Sequence, residues 1–163
     1  MVSKKVIIAI AVVAILAVIA VAVAGGSEEK TEARYNYTVE LSDGFEWKSS
    51  SGDVYIQKPD DGKQYAILKY TVYNDSYDED ISVSPLIWCW DAVIDGVSYS
   101  DSSDEFMHPG YQSSASVVKG GHATQTLVFE IPKEAALSDV SMTHEYIWTF
   151  DPPVLERDES IAV

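Results

Sequence analysis

The chain begins with a segment in which every residue is apolar. Val6–Ala24 contains only Val, Ile, Leu and Ala. As an α-helix these residues would span about 28 Å, which is close to the hydrocarbon thickness of a bilayer. Lys4 and Lys5 precede the segment, and positive charge on that side keeps the N-terminus in the cytoplasm. We therefore predict that the chain after Ala24 is extracytoplasmic.

Two fates of this segment stay open. Ala22-Val23-Ala24 before Gly25 is a small-x-small site of the kind that signal peptidases cleave. The segment is nevertheless longer than the about 7–15 apolar residues of an ordinary signal peptide, which favours retention as an N-terminal transmembrane anchor. The prediction is a single-pass membrane protein with its N-terminus inside, or a secreted domain if cleavage follows Ala24.

The chain then changes from polar residues to short alternating runs. Residues 25–34 (GGSEEKTEAR) predict a polar linker. From Tyr35 onward Tyr, Val, Ile, Thr and Trp dominate, and Gly, Pro, Asp, Asn and Ser interrupt them at short intervals, as in strands joined by turns. Strands are predicted over residues 35–41, 45–48, 54–57, 64–74, 81–91, 97–100, 115–118, 123–131 and 140–150.

The pattern of these strands predicts an all-β domain. Ala66, Leu68, Tyr70 and Val72 alternate along the clearest strand, whereas the apolar parity switches near Pro85, which predicts a bulge or burial on both faces. Many short strands without a long helix are typical of an antiparallel β-sandwich of about seven to nine strands. We assign it to residues 35–151, and we expect the acidic C-terminal tail, residues 152–163, to fray.

Two stretches carry a family resemblance. Residues 58–76 (KPDDGKQYAILKYTVYNDS) are followed by 81–85 (ISVSP), and 118–121 (VKGG) lead into 127–133 (LVFEIPK). Together they resemble the immunoglobulin-like domains of unknown function (DUF4352-like) found in small exported proteins and lipoproteins of prokaryotes. The resemblance implies an immunoglobulin-like sandwich and no established chemistry. Many members carry a lipid-anchoring cysteine, whereas the only cysteine here is Cys89, within a predicted strand.

Charge excludes several kinds of partner. The sequence has 11 Lys+Arg and 26 Asp+Glu, a net charge of −15. Because Lys4 and Lys5 precede the apolar segment, the part from Gly25 onward has 9 bases against 26 acids, or −17. Such a surface repels nucleic acid and anionic lipid, so we expect neither as a partner.

No constellation of residues predicts an enzyme. The sequence has no nucleophile elbow, metalloprotease helix motif, C-x-x-C or phosphate-binding glycine loop. Cys89 lies between two tryptophans, which predicts a buried and inert thiol. His108, His122 and His144 lack metal-ligand spacing, and the strand position of His144 favours a packed core or rim histidine. We therefore predict no catalytic, cofactor-binding or metal-binding residues.

Three weaker candidates remain, each with a structural explanation beside it. Two acidic loops would suit weak calcium binding, although solvated loops are the default: Asp75, Asp78, Glu79 and Asp80 form the first, and Asp101, Asp104 and Glu105 the second. Asn36 and Asn74 each begin a glycosylation sequon. Four tyrosines near loops are predicted to be exposed and to offer a binding surface, namely Tyr73, Tyr77, Tyr99 and Tyr111.

These patterns favour a non-enzymatic, extracytoplasmic domain that binds a protein, a glycan or an envelope component. Two alternatives stay open. The first is a structural surface protein that assembles with copies of itself through a strand edge or through its N-terminal segment. The second is an adhesion module stabilised by calcium.

We expect the mature protein to keep its N-terminal segment, because the apolar run exceeds the length of a signal peptide. Intact-mass spectrometry of protein extracted from membranes measures this directly. A variant with Ala22→Leu and Ala24→Leu removes the small-x-small site and serves as the uncleaved reference. A mature chain that begins at Gly25 would contradict the anchor.

Overall fold

The computed structural model describes residues 31–147, 152–161 and 163. The apolar segment Val6–Ala24, predicted to be a helix, lies outside these residues, as does most of the predicted linker. None of the helices in the described part of the chain has the length and apolarity needed to cross a membrane. The described part is mostly β, with eleven strands and two short 3₁₀ helices.

The elements follow one another in this order. The first six strands are β1 (Ala33–Ser42), β2 (Phe45–Lys48), β3 (Val54–Gln57), β4 (Lys63–Asn74), β5 (Ile81–Val83) and β6 (Trp88–Ile94). The remaining elements are β7 (Val97–Ser100), the 3₁₀ helix η1 (Ser103–Met107), β8 (Ala115–Val117), β9 (His122–Pro132), the 3₁₀ helix η2 (Leu137–Asp139), β10 (Ser141–Tyr146) and β11 (Leu155–Arg157). The end of the last long predicted strand, residues 148–150, lies outside the described residues.

Strand β4 occupies the middle of the largest sheet. That sheet has the order β11-β1-β4-β9, and β4 runs antiparallel to both of its neighbours. The alternating residues Ala66, Leu68, Tyr70 and Val72 are fully buried, as their pattern predicts. Tyr65 and Ile67 on the opposite face are buried as well. Strand β4 therefore needs cover on both faces.

A second sheet, β10-β6-β7, covers the first of these faces. The alternating residues of β6 are buried: Trp88, Trp90, Ala92 and Ile94. The ring of Tyr70 lies 5.8 Å from that of Trp88 and 5.4 Å from that of Trp90, centroid to centroid. The inner faces of the two sheets therefore share one apolar core that contains several large aromatic rings.

The parity switch near Pro85 has a different cause from the predicted bulge. The carbonyl of Ser84 accepts hydrogen bonds from the amides of Ile87 (3.1 Å) and Trp88 (2.9 Å), which forms a turn. Strand β5 pairs with β8 before this turn, and β6 pairs with β10 and β7 after it. The predicted strand 81–91 is thus two strands in different sheets, and the turn between them resets the alternation.

The turn after β6 agrees with its sequence. Asp95 and Gly96 have φ angles of 50° and 79°. Two successive residues with positive φ form the type I′ turn that an Asp-Gly pair favours, and this turn matches the twist of paired strands. It joins β6 to β7 in antiparallel register.

The prediction that the C-terminal tail frays is wrong. Leu155–Arg157 forms β11 and pairs in parallel with the start of β1, which begins two residues before the predicted strand. Arg34 on β1 also connects the tail to the end of β4: its guanidinium lies 2.7 Å from Asp158 in the tail and 2.7 Å from Asp75, which follows β4. Hydrogen bonds from Ser160 and Arg34 lower the pKa of Asp158 to about 2. The tail is thus held by paired charges.

We expect Leu127→Ala to lower the free energy of unfolding by about 2–5 kcal/mol, because it leaves a cavity between the sheets. The side chain of Leu127 on β9 is 1% exposed, whereas that of Leu86 is 84% exposed and serves as the control. Leu86→Ala should change the stability by no more than about 0.5 kcal/mol. Chemical unfolding followed by tryptophan fluorescence measures the free energy of unfolding of both variants. Equal decreases in the two variants would contradict the shared core.

Candidate functional site

The hairpin β2–β3 covers the outer face of β4. The ring of Phe45 lies 5.4 Å from that of Tyr65 and 4.9 Å from that of His108, centroid to centroid. Tyr65, Ile67 and Val128 form a small second core against which Phe45 packs. Because β2 and β3 pair only with each other in the described part of the chain, this contact holds the hairpin in place.

The hairpin carries more apolar surface than it buries. Trp47 and Tyr55 are directly opposite each other and stack with their ring centroids 4.9 Å apart. On the other face Val54 and Ile56 are 56% and 64% exposed. The free edge of β3 has no strand beside it among the described residues. An exposed apolar strand edge is a feature that soluble proteins usually avoid unless it contacts a partner.

A groove runs between this hairpin and the loop that follows η1. Its volume is about 640 Å³. We call it the hairpin groove, and its lining consists of Glu46, Trp47, Lys48, Val54, Met107, His108 and Pro109. One wall is thus aromatic and aliphatic, the opposite wall is the 107–109 loop, and charged groups of both signs lie on the hairpin side.

His108 connects the hairpin groove to a smaller groove. It also lines the neighbouring groove of about 260 Å³, together with Lys69 of β4 and Thr126 of β9. Its Nδ1 accepts a hydrogen bond from the amide of Gly110 at 3.0 Å, which leaves Nε2 as the protonated nitrogen of the neutral ring. Burial lowers the pKa of His108, so the ring is an uncharged hydrogen-bond donor at neutral pH.

Acidic residues hold the loop wall of the hairpin groove. The hydroxyl of Tyr65 donates to the carboxylate of Asp104, and burial raises the pKa of Tyr65. Glu105 is 2% exposed, and burial together with the nearby Asp101 raises its pKa to about 8. The second predicted acidic loop is therefore partly an internal structural element rather than a solvated cation site.

The first acidic loop is occupied by ion pairs and hydrogen bonds. Asp75 pairs with Arg34, and Asp78 lies 2.6 Å from Lys119, which lowers the pKa of Asp78. Asp80 accepts a hydrogen bond from Ser116. Within the described ranges, no three His, Cys, Asp or Glu side chains converge as a metal site would require. Calcium binding stays a prediction without a formed site.

Both sequon asparagines serve the fold. Asn36 is 8% exposed, and its amide donates to the carbonyl of Ile161 at 3.0 Å. Asn74 is 1% exposed, and its amide donates to the carbonyls of Glu79 and Val117. A glycan removes one of the two N–H groups of the amide, so at Asn74 it would break one of the two hydrogen bonds, and at either position it would need space that the buried side chain lacks.

The four predicted tyrosines do not form one binding surface. Tyr77 is 7% exposed, so its predicted exposure is wrong. Tyr73 stacks on His122 with centroids 4.9 Å apart, and Tyr111 packs edge-on against Phe106. The candidate surface that sequence reasoning missed is the hairpin. Its signal is the pair of runs FEWK and VYIQ, which place apolar residues on both faces of an element too small to bury them.

His144 and Cys89, the other candidates from the sequence, are both packed against their neighbours in the domain. His144 lies with its ring centroid 4.5 Å from that of Trp90 and 4.8 Å from that of Tyr35, which confirms a packed histidine at the rim of the core. Cys89 is half-buried rather than buried. Burial, followed by the charge of Glu145, raises the pKa of its thiol, so the thiol stays protonated at neutral pH.

A mostly β domain with these features matches a known family. Residues 27–149 match the family described as Domain of unknown function (DUF4352), and the chain belongs to this family, which confirms the resemblance noted above. No curated protein matches the sequence.

Two solved structures from Bacillus subtilis are similar to the chain. The yjhA protein has a TM-score of 0.48 and 16% identity, over 72% of this chain and 77% of that one. The ycdA protein of strain 168, described as a putative lipoprotein, has a TM-score of 0.36 and 11% identity, over 72% of this chain and 39% of that one. The chain thus spans well under half the length of ycdA.

We expect Phe45→Ala to release the hairpin from the sheet, because Phe45 is its contact with Tyr65 and His108. Because the ring is half-buried, the substitution should lower the free energy of unfolding by about 1–3 kcal/mol. Hydrogen exchange should become faster at the amides of β2 and β3 while the amides of β4 stay protected. Phe106→Ala, at a ring that is 65% exposed, is the control and should leave hairpin exchange unchanged.

Proposed function

We propose that the chain is a non-enzymatic, extracytoplasmic binding domain with an immunoglobulin-like sandwich fold, and that the hairpin groove takes an extended segment of a protein partner. Two sheets with a common aromatic core support the sandwich. The apolar segment Val6–Ala24 and the lysines before it support the location. The single observation that carries the binding site is the apolar surface that the β2–β3 hairpin leaves exposed, with Val54 in the lining of the groove.

A strand edge of this kind binds an extended peptide through its backbone. The free edge of β3 presents amide and carbonyl groups at the spacing of a sheet, and an added strand would pair with them. Side chains of the added strand would then contact exposed Val54 and Ile56 on one face and Tyr55 on the other. The walls formed by Trp47 and Met107 would give specificity beyond the backbone pairing.

Apolar aliphatic side chains favour a protein over a glycan. Sugars stack on flat aromatic faces, but they gain little from exposed Val54 and Ile56, whereas protein interfaces bury such groups at their centre. The net charge of the domain further restricts the kind of protein segment that it would bind. The part of the chain after the apolar segment has a net charge of −17, so a basic segment is attracted and an acidic one is repelled.

The groove residues supply binding groups rather than a catalytic constellation. The Nδ1 of His108 is already occupied by the amide of Gly110 and is not available as a base. Among the described residues, the groove lining contains Glu46 and Lys48 but no Ser, Thr or Cys that could act as a nucleophile.

The test uses the full chain in detergent micelles and a defined probe. The probe is an N-acetylated, C-amidated octapeptide that alternates Val with Lys, and a peptide that alternates Val with Glu tests charge. We expect the Val–Lys peptide to bind and to shift the amide resonances of β3. Val54→Lys should weaken binding about tenfold or more, because it places a charge on the apolar face of the edge.

Val97→Lys is the matched control, because Val97 is 54% exposed in another hairpin and the substitution changes the net charge equally. It should bind like the unsubstituted chain. If Val54→Lys and Val97→Lys weakened peptide binding equally, net charge alone would explain the effect, which would contradict the proposed site. Binding of chitohexaose in place of either peptide would favour a glycan, and a concentration-dependent dimer abolished by Val54→Lys would favour self-assembly through the same edge.

A further inference from the structure

The loop wall of the hairpin groove rests on a buried carboxyl group. Glu105 lies on η1, two residues before Met107, and its side chain is 2% exposed. The backbone of Val128 on β9 and the side chain of Asp101 lie close enough to the carboxyl group to influence its pKa. Its Oε2 has no hydrogen-bond partner among the described residues. Such a group is stable in this position only while it is uncharged.

The carboxylate of Asp101 favours the protonated form of Glu105. Two ionised carboxylates repel each other, so the charge of Asp101 adds to the cost of ionising the buried Glu105. Asp101 is exposed and Glu105 is buried, so burial places the proton on Glu105. Burial first, and then the charge of Asp101, raises the pKa of Glu105 to about 8.

In the described part of the chain, the groups that act on Glu105 include no positive charge that would stabilise its ionised form. Asp101 faces it from the preceding loop, Tyr70 from β4 and Tyr111 from the following loop. Asp104 on the same helix is engaged by Tyr65. Beyond Tyr70, the next titratable group is Cys89 of β6, whose pKa is also raised. Ionised Glu105 would therefore be a buried charge with only acidic or neutral neighbours.

We propose that the proton on the buried carboxyl group of Glu105 controls the hairpin groove. With the proton bound, η1 docks on β9 and holds Met107 and His108 in place as the loop wall. When Glu105 loses the proton, the carboxylate moves into water and takes η1 with it, so the wall leaves its place. This inference rests on the proposed function only in that the groove is taken to be the binding site.

The geometry allows this movement to stay local. Helix η1 has only five residues. At its two ends the amide of Glu105 donates to the carbonyl of Ser102 (3.0 Å), and the amide of His108 donates to the carbonyl of Glu105 (2.9 Å). The amide of Ser102 bonds the carbonyl of Val128 at 2.7 Å and marks the point where the segment leaves the sheet. Rotation about this point exposes Glu105 without separating the two sheets.

The direction of the pH dependence follows from the raised pKa. Folding binds a proton that an unfolded Glu would release near pH 4.5, so the stabilisation is complete below that pH and is lost as the pH rises through about 8. His108 does not titrate in the upper part of this range, because burial lowers its pKa below the usual value.

Methionine methyl NMR on the full chain in micelles tests the movement directly. Met107 lines the groove and Met142 packs against the main core, so one methyl reports on the loop wall and the other is an internal control. Between pH 6 and 9.5 we expect the Met107 resonance to titrate with a midpoint near 8 while Met142 stays constant.

Two variants identify the group that titrates. Glu105→Gln should abolish the Met107 titration, and Asp101→Asn should lower its midpoint, because the charge of Asp101 helps to raise the pKa of Glu105. Glu134→Gln, at an exposed carboxyl elsewhere, is the control and should change nothing. The proposal would be overturned if the Met107 resonance of the unsubstituted chain did not titrate. It would also be overturned if the resonance titrated with the same midpoint in Glu105→Gln and in Asp101→Asn as in the unsubstituted chain. If Glu105→Gln does not fold, the Asp101→Asn midpoint alone decides.

Binding of the Val–Lys octapeptide separates this inference from the proposed function. One pH unit above the midpoint about one tenth of the molecules keep the wall in place, so the apparent Kd at pH 9 should be about tenfold higher than at pH 6.5. Equal affinity at both pH values would overturn proton control of binding. A Met107 titration without peptide binding at either pH would overturn the proposed function and leave the movement of the wall established.

Discussion

The burial of β4 on both faces is the constraint on which the other elements depend. A strand in a two-layer protein needs cover on one face only, but here Leu68 and Tyr70 point into the main core while Tyr65 and Ile67 point the other way. Each of these side chains contributes about 1.5–3 kcal/mol only if it leaves water. The sheet β10-β6-β7 therefore covers one face, and the hairpin β2–β3 with η1 covers the other.

The candidate site is a consequence of how the second face is covered. A hairpin with two strands of four residues each supplies one residue to the second core, Phe45, while Val54, Tyr55 and Ile56 stay exposed. Helix η1 adds Asp104, which accepts a hydrogen bond from Tyr65, and its next residue, Glu105, is a buried carboxyl group. One side of the groove is therefore apolar and exposed, and the other side depends on a proton. Both properties arise because the outer cover of β4 is small and partly polar.

Sequence reasoning predicted the features that are local. The alternation along β4 and the Asp-Gly turn after β6 depend on neighbouring residues only, and the structure has both. The break at Ser84 could not be predicted, because one parity switch is compatible with a bulge or with a change of sheet. The pairing of the tail could not be predicted either. It depends on Arg34 meeting Asp158 across 124 positions, whereas the composition of the tail resembles that of a frayed end.

By itself the sequence determined the class of this protein: a mostly β domain of the DUF4352 family, acidic, with an apolar segment before it. Periodicity, charge and turn residues carry that information, because each acts over a few residues. Only the tertiary structure decided which apolar residues stay exposed and which acid is buried. Val54 and Ile56 resemble core residues until the hairpin is seen to lack cover, and Glu105 resembles a loop acid until β9 is seen to enclose it. Burial depends on residues far apart in the chain, and local patterns do not contain it.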